Sequence, residues 1–255
     1  MRGLEIGASH TSEVRRGRLG TGGLAWRAGL FALALAAAAV AAGQLDASAR
    51  LSVINAGLTV LGSMDQAPAP GAVEAFAREN GLGRQGETCD PGVLYAEASF
   101  WRYIVASRNE TVPRDLRDRE ILMREANTLQ QISCNPTDGL AWADHADTAI
   151  RRGLGRADVR QRLSLSRRYA PYEGEALKAR LDIYSSLDDG SDVRDLWLDD
   201  FQTALLFGSP DLAVSAALAL PEDLKPLAFQ KVLALPAARR EAIERAMTAQ
   251  TAGED

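Results

Sequence analysis

Between Arg27 and Asp46 the chain runs AGLFALALAAAAVAAGQL, eighteen residues from Ala28 to Leu45 without a charge. At about 1.5 Å of rise per residue, that is close to the shortest helix able to cross a hydrocarbon core of about 30 Å. Arg2, Arg15, Arg16, Arg18 and Arg27 precede the run against only Glu5 and Glu13, so the positive-inside rule keeps the N-terminus in the cytoplasm and exports the rest. Trp26 stands where an interfacial aromatic belongs. Three placements fit: an uncleaved anchor, which is the reading adopted; a signal peptide cut near the small residues Ala39, Ala41 and Ala49; or a buried Ala-rich helix of a soluble protein.

Beyond Asp46 the chain is punctuated for helices. No stretch alternates apolar and polar residues long enough for a strand, and Ala is frequent while aromatics make up 6%. The expected fold class is all-α. Five segments are expected: a cytoplasmic basic tail over 1–27, a transmembrane helix or signal anchor over 28–45, a juxtamembrane segment and linker over 46–88, a helical domain over 89–250 and a tail over 251–255. Within the domain, Leu94, Ala98, Trp101 and Val105 share one helical face, and Leu116, Leu122, Ala126 and Leu129 supply the core face of the next helix. Gly208-Ser209-Pro210-Asp211 reads as helix stop, N-cap, first-turn proline and acidic first turn.

Both cysteines, Cys89 and Cys134, fall on the exported side, where an oxidising compartment lets them form a disulfide. Each is followed by Asp or Asn and then Pro, the pattern of an N-cap before a helix start. Two antiparallel helices near 92–108 and 113–133 would bring Cys134 back to Cys89; two buried thiols are the alternative. Two cysteines without nearby histidines cannot complete a tetrahedral metal shell, so no metal is expected.

At a period of 35 residues, Pro136, Gly139, Ala141, Trp142, Ala146 and Gly155 are matched by Pro171, Gly174, Ala176, Leu177, Leu181 and Gly190. A repeat of this length is expected to stack helix pairs into a solenoid, each unit burying its apolar face against its neighbours. Over about 135–205 the chain resembles the tetratricopeptide-repeat class, with Trp142, Ala146 and Pro171 near that family's Trp, small residue and terminal Pro. The Tyr late in the first helix is missing, and the second copy has Leu177 in place of Trp. The resemblance implies an irregular helical-hairpin solenoid that binds a partner protein in a concave groove. More loosely, one anchor followed by a short repeat domain is similar to accessory proteins of bacterial exopolysaccharide biosynthesis.

The chain carries no serine-hydrolase elbow, P-loop or zinc-protease motif. Its two histidines are His10 in the tail and His145, so no catalytic residue and no cofactor is expected. A net charge of −5 argues against nucleic acid as a partner. The arginine run Arg151, Arg152, Arg156, Arg160, Arg162, Arg167 and Arg168 suits an acidic protein or an acidic polysaccharide, or else is an ordinary helix face neutralised by neighbouring acids.

The expected function is a non-enzymatic scaffold of the bacterial inner membrane, single-pass, with its C-terminal domain in the periplasm. Its expected binding surface comprises Trp142, Leu177, Leu181, Arg156, Arg160 and Arg167, and surface-polysaccharide biosynthesis or export is the setting that the looser resemblance implies. Two other classes remain: a membrane-tethered enzyme acting on glycans through paired carboxylates about 5–9.5 Å apart, and a structural protein that self-assembles through its membrane helix.

Overall fold

The computed structural model describes residues 21–64, 68–83, 89–107, 112–187 and 191–252. Among them every regular element is helical: α1 (Thr21–Gly62), α2 (Pro70–Glu79), α3 (Pro91–Ser107), α4 (Arg114–Cys134), α5 (Gly139–Arg151), α6 (Arg156–Tyr169), α7 (Gly174–Ser185), α8 (Arg194–Phe207), α9 (Pro210–Leu218), α10 (Lys225–Leu233) and α11 (Ala237–Ala252), with a 3-10 turn at Ser191–Val193 before α8. The basic tail up to Gly20, the C-terminal tail from Gly253 and the repeat position Gly190 lie outside the described residues, as do the side chains of Trp26 and Arg27.

The chain divides into two units at Ser48 and Ala49. In the first, every side chain from Leu30 to Asp46 is exposed, including Phe31, Leu33, Leu35, Val40 and Leu45 at 56–72% of their full area. Large apolar side chains lose roughly 1.5–3 kcal/mol each by staying in water rather than an apolar medium. One helix among the described residues, over Leu30–Gly62, is long and apolar enough to cross a membrane.

The second unit begins inside α1. From Ala49 onward α1 contributes Ile54 and Leu61 to the interior, and the Leu61 carbonyl accepts a hydrogen bond from the Tyr103 hydroxyl at 2.8 Å. A Cβ at Gly57 would stand 2.7 Å from the Phe76 ring, so glycine is what lets α2 approach α1 here. Phe76 stacks on Phe100 at 5.3 Å, and Phe100 meets Trp101 edge-on at 5.2 Å. Within 46–88, expected as a juxtamembrane segment and linker, the later part of α1 and α2 pack on α3, because their apolar residues fall at helical spacing and have α3 to cover.

A disulfide joins Cys89 to Cys134 with their Cα atoms 5.5 Å apart. Asp90 caps α3, its Oδ1 accepting from the Val93 amide at 2.9 Å. The matching triplet at Cys134 behaves differently. Cys134 is the last residue of α4 and Asn135 its C-cap; the Asn135 carboxamide bonds Thr137 within a turn, and Asp138 caps α5 by accepting from the Ala141 amide. Pro136 and Pro171 thus lie three residues before the helix starts at Gly139 and Gly174. Gly139 is required: a Cβ there would fall 2.2 Å from the Cβ of Ala170.

From α5 onward one core gathers Leu163, Leu177, Leu181, Tyr184, Trp197, Phe201 and Leu205 with Ala213, Val214 and Ile243. α5 packs on α4, α6 and α7, α7 on α8, and α9 on both α8 and α11.

A covalent loop of 45 residues removes up to about 4 kcal/mol of unfolded-chain entropy. The double substitution Cys89→Ser and Cys134→Ser is therefore expected to lower the melting temperature by roughly 5–10 °C. Circular dichroism should show the same loss when the wild-type protein is melted in reductant, and an unchanged midpoint would deny the bridge any stabilising role.

Candidate functional site: a charged cleft against helix α4

The buried face of α4 contains no apolar side chain: Glu120, Arg124, Glu125, Asn127, Thr128 and Gln131 point inward, while Leu122 and Leu129 are 50% and 44% exposed. Of the face expected to be core, Leu122 and Leu129 are turned to solvent and Leu116 and Ala126 are half-buried. Arg124, Asn127 and Gln131 reach partners on α3 or α5 and Glu125 reaches Arg152 just after α5, while the Thr128 hydroxyl donates to the Arg124 carbonyl of its own helix; such pairing is the condition for burying polar groups without a large desolvation penalty.

Arg124, 3% exposed, holds two carboxylates of α5. It donates to Asp144 at 3.0 Å and to Asp147. Asp144 also accepts from Arg102 of α3 at 3.1 Å, and Asp147 from Arg151 at 2.9 Å. Burial raises the Asp147 pKa, but the Arg124 and Arg151 guanidinium groups outweigh it and hold the carboxyl below its usual range. Further along, the Asn127 carboxamide and Arg50 both donate to Glu97, at 3.0 and 3.2 Å. The Gln131 carboxamide donates to the Leu94 carbonyl at 2.6 Å. Glu125 pairs with Arg152.

Above the Arg124 cluster lies an open cleft of about 380 Å³, walled by α3, α4, α5 and α7. Its lining carries Arg102, Arg124, Arg151 and Lys178 as cations, with Asp144, Asp147, Glu175 and Asp182 as anions; Ala106, Ala179, Ile183 and Ser186 complete the wall. A surface with both signs at fixed positions recognises a polar, charged complement by matching each charge in place. Among the described residues no cluster of three or more His, Cys, Asp or Glu could hold a metal ion.

A second buried ionic centre lies within the α6–α8 layer. Arg180 has no exposure. It forms a double bond set with Asp200, Nε at 2.7 Å and Nη2 at 3.1 Å, and its Nη1 donates to Ser166 and to the Ala170 carbonyl. The Tyr184 hydroxyl donates to Asp200 at 2.8 Å, and burial followed by the Asp200 charge pushes the phenol pKa up.

The residues expected to form a binding surface do not assemble into one. Leu177 and Leu181, 1% and 3% exposed, are core residues and offer no surface. Trp142 is half-buried, its indole N–H donating to the Pro136 carbonyl at 2.8 Å. Arg156, Arg160 and Arg167 face an acidic row before and along α8: Arg156 lies 3.6 Å from Asp192, Arg160 2.6 Å from Asp195 and Arg167 2.6 Å from Asp199. Hydrogen bonding to Arg160 lowers the Asp195 pKa to about 2. The arginine stripe is thus neutralised from within the chain.

Arg180 and Arg124 belong to no sequence motif, yet Arg180 carries a signal. It sits three residues after Leu177 and four before Tyr184, so a charge occupies a position that the helical period assigns to the core.

Comparison with known protein families, with curated proteins and with solved structures found no match.

Removing one member of a buried pair leaves an uncompensated charge, so Asp200→Ala should cost about 3–5 kcal/mol. Arg160→Ala, at an exposed pair, should cost less than about 1 kcal/mol. Urea unfolding of both variants checks the contrast, which equal losses would contradict.

His145 is buried. Burial first, then the Arg162 charge, push its pKa down from 6.5 to about 4, with Arg152 adding to the effect and Glu125 opposing it. Between those values the unfolded chain holds the proton and the folded one does not, so stability falls as pH drops from about 6.5 towards 4. Glu97, its carboxyl pKa raised by burial, slopes the other way in the lower part of this range. Melting curves of wild type and His145→Gln across pH 7 to 4.5 should show a shallower fall in the variant; parallel curves would rule out the histidine as a cause.

Proposed function

We propose that the chain is a single-pass scaffold of the bacterial inner membrane, non-enzymatic, whose folded unit lies on the periplasmic side and binds a partner protein in the charged cleft over α4 and α5. The observation that carries the binding role is the cleft: eight charged side chains of both signs, among them the buried Arg124 guanidinium that holds Asp144 and Asp147 in place. The paired helices α5 with α6 and α7 with α8, offset by 35 residues from Gly139 to Gly174, support the tetratricopeptide-like reading, in which such a groove takes a protein segment.

The membrane placement is supported by the exposed apolar run from Leu30 to Leu45. The bridge between Cys89 and Cys134 supports an oxidising compartment for the second unit.

Alkaline phosphatase fused at the C-terminus should be active in cells and a fluorescent-protein fusion dark; the reverse pattern would refute the topology. For the cleft, proteins retained by the solubilised full-length chain should be lost on Lys178→Glu and kept on Arg168→Glu, which changes an exposed arginine elsewhere. Retention insensitive to Lys178 would remove the cleft from the proposal.

A further inference from the structure

Near its C-terminal end the chain lays α10 alongside α8. Arg194 lies 2.7 Å from Asp223, Lys231 donates to the Gln202 carboxamide oxygen at 2.7 Å, and Arg239, just past α10, donates to the Leu205 and Gly208 carbonyls at 2.7 and 2.6 Å. These contacts fall in the same order along both stretches, so the two helices point the same way, as α6 and α8 do through their own row of ion pairs. α10 is the last helix of this row, because α11, which follows it, packs on α9.

The helical period divides α10 into two sides. Ala228 is its one buried residue, and the side opposite presents Pro226, Phe229 and Leu233, with Phe229 64% and Leu233 51% exposed. A row of stacked helices that ends in water carries a polar outer face; this row ends on apolar side chains. The helix is also weakly held. It has 9 residues and no side-chain cap, and it starts on Lys225, the unfavourable charge for a helix N-terminus; a helix this short is marginal without packing. The neighbouring cations are engaged within the chain, Lys225 with Glu222 and Lys231 with Gln202, so the outer side offers no free charge to select an ionic partner.

We infer that this side is covered by the same helix of a second copy, α10 against α10 across a two-fold axis perpendicular to both. An uncharged apolar strip is complementary to itself, as an isologous contact requires. The antiparallel arrangement that such an axis imposes sets the N-terminus of each helix beside the C-terminus of the other, which the macrodipoles favour. Phe229, Leu233 and Leu227 leave roughly 300 Å² of apolar side chain uncovered in each copy. A pair would bury about 600 Å² of it, the range of a weak, reversible contact and well short of a permanent dimer. The pairing concerns the folded unit alone, holds whether or not α1 crosses a membrane, and uses no residue of the charged cleft.

The experiment uses the full-length chain in detergent micelles at about 100 µM, where a contact of micromolar Kd is occupied. The photo-crosslinker benzoylphenylalanine stands in place of Phe229, and light and isotope-labelled copies are mixed so that mass spectrometry recognises adducts between copies. A covalent dimer is expected, its adduct mapping to residues 225–233 of the other copy. Leu233→Lys, which sets a charge in the contact, should cut the yield by about tenfold. In dilute solution, where the pair has dissociated, the same variant should melt with wild type, since Leu233 is exposed. No adduct between copies, an adduct mapping outside α10, an equal yield from the crosslinker at exposed Leu122 of α4, a yield indifferent to Leu233→Lys, or a variant that melts several degrees lower would each overturn the inference. The last would make Leu233 a structural residue, and an adduct on α1 would assign the dimer to the apolar run.

Discussion

The guanidinium of Arg124 is the contact around which the second unit is arranged. It is buried where three helices meet, bound to Asp144 and Asp147 of α5, with Arg102 of α3 closing the far side of Asp144. A lone buried charge costs several kcal/mol, so this arrangement is tolerable only with all partners in place. Apolar contacts are forgiving of a small slide between helices. A forked guanidinium between two carboxylates is not, because a shift of one residue leaves charges unpaired in a poorly solvated interior. The relative setting of α3, α4 and α5 is therefore fixed by ion pairing, and the adjacent disulfide ties the start of α3 to the end of α4.

The same division of labour recurs between α6 and α8. There the buried Arg180–Asp200–Tyr184 centre specifies the packing, while the outer row from Arg156 to Arg167 pairs with Asp192, Asp195 and Asp199 near the surface. Exposed pairs contribute little energy each. Their spacing still matters, since a shift of α8 by one position along α6 would break the pairs of Arg160 with Asp195 and Arg167 with Asp199 together. Of the two sequence readings of the cationic stripe, an acidic ligand or neutralisation by neighbouring acids, Arg156, Arg160 and Arg167 follow the second, as one half of an internal ladder.

These features explain which parts of the fold can be read from the chain and which cannot. Local signals hold: Ser209 caps α9 ahead of Pro210, its hydroxyl accepting from the Leu212 amide, because a cap is decided within four residues. The all-helical class is legible for the same reason. The orientation of α4 is not, because the hydrophobic-periodicity argument assumes that apolar side chains turn inward. Leu122 and Leu129 break that assumption only because Asp144, Asp147, Glu97 and Leu94, 20 to 37 residues away in sequence from their α4 partners, offer something better for the polar side to bind. The two cysteine triplets fail as a pair for a related reason. Asp90 can cap α3, whereas Asn135 is held in the turn that leads to Asp138. The charged cleft is illegible as a cleft, since its walls come from four helices and of its charges only Arg151 lies in a run that the sequence marks out.

The two units place their polarity in opposite ways. Leu30 to Leu45 carries large apolar side chains outward and has no charge, while α4 carries Glu120, Arg124 and Glu125 inward and two of its leucines outward. Neither pattern can stabilise itself alone. The first calls for an apolar surrounding, which a hydrocarbon layer provides; the second calls for counter-charges, which α3 and α5 provide. Oxidation then has a definite place in this arrangement. A core held by ion pairs loses less on loosening its apolar contacts than on letting one helix swing away from its counter-charges, and the disulfide restrains that motion at the end of α4 where Gln131 and Cys134 leave the polar interface. A covalent tie is of most use where the non-covalent contacts are directional and fail together, and the end of α4 meets that condition.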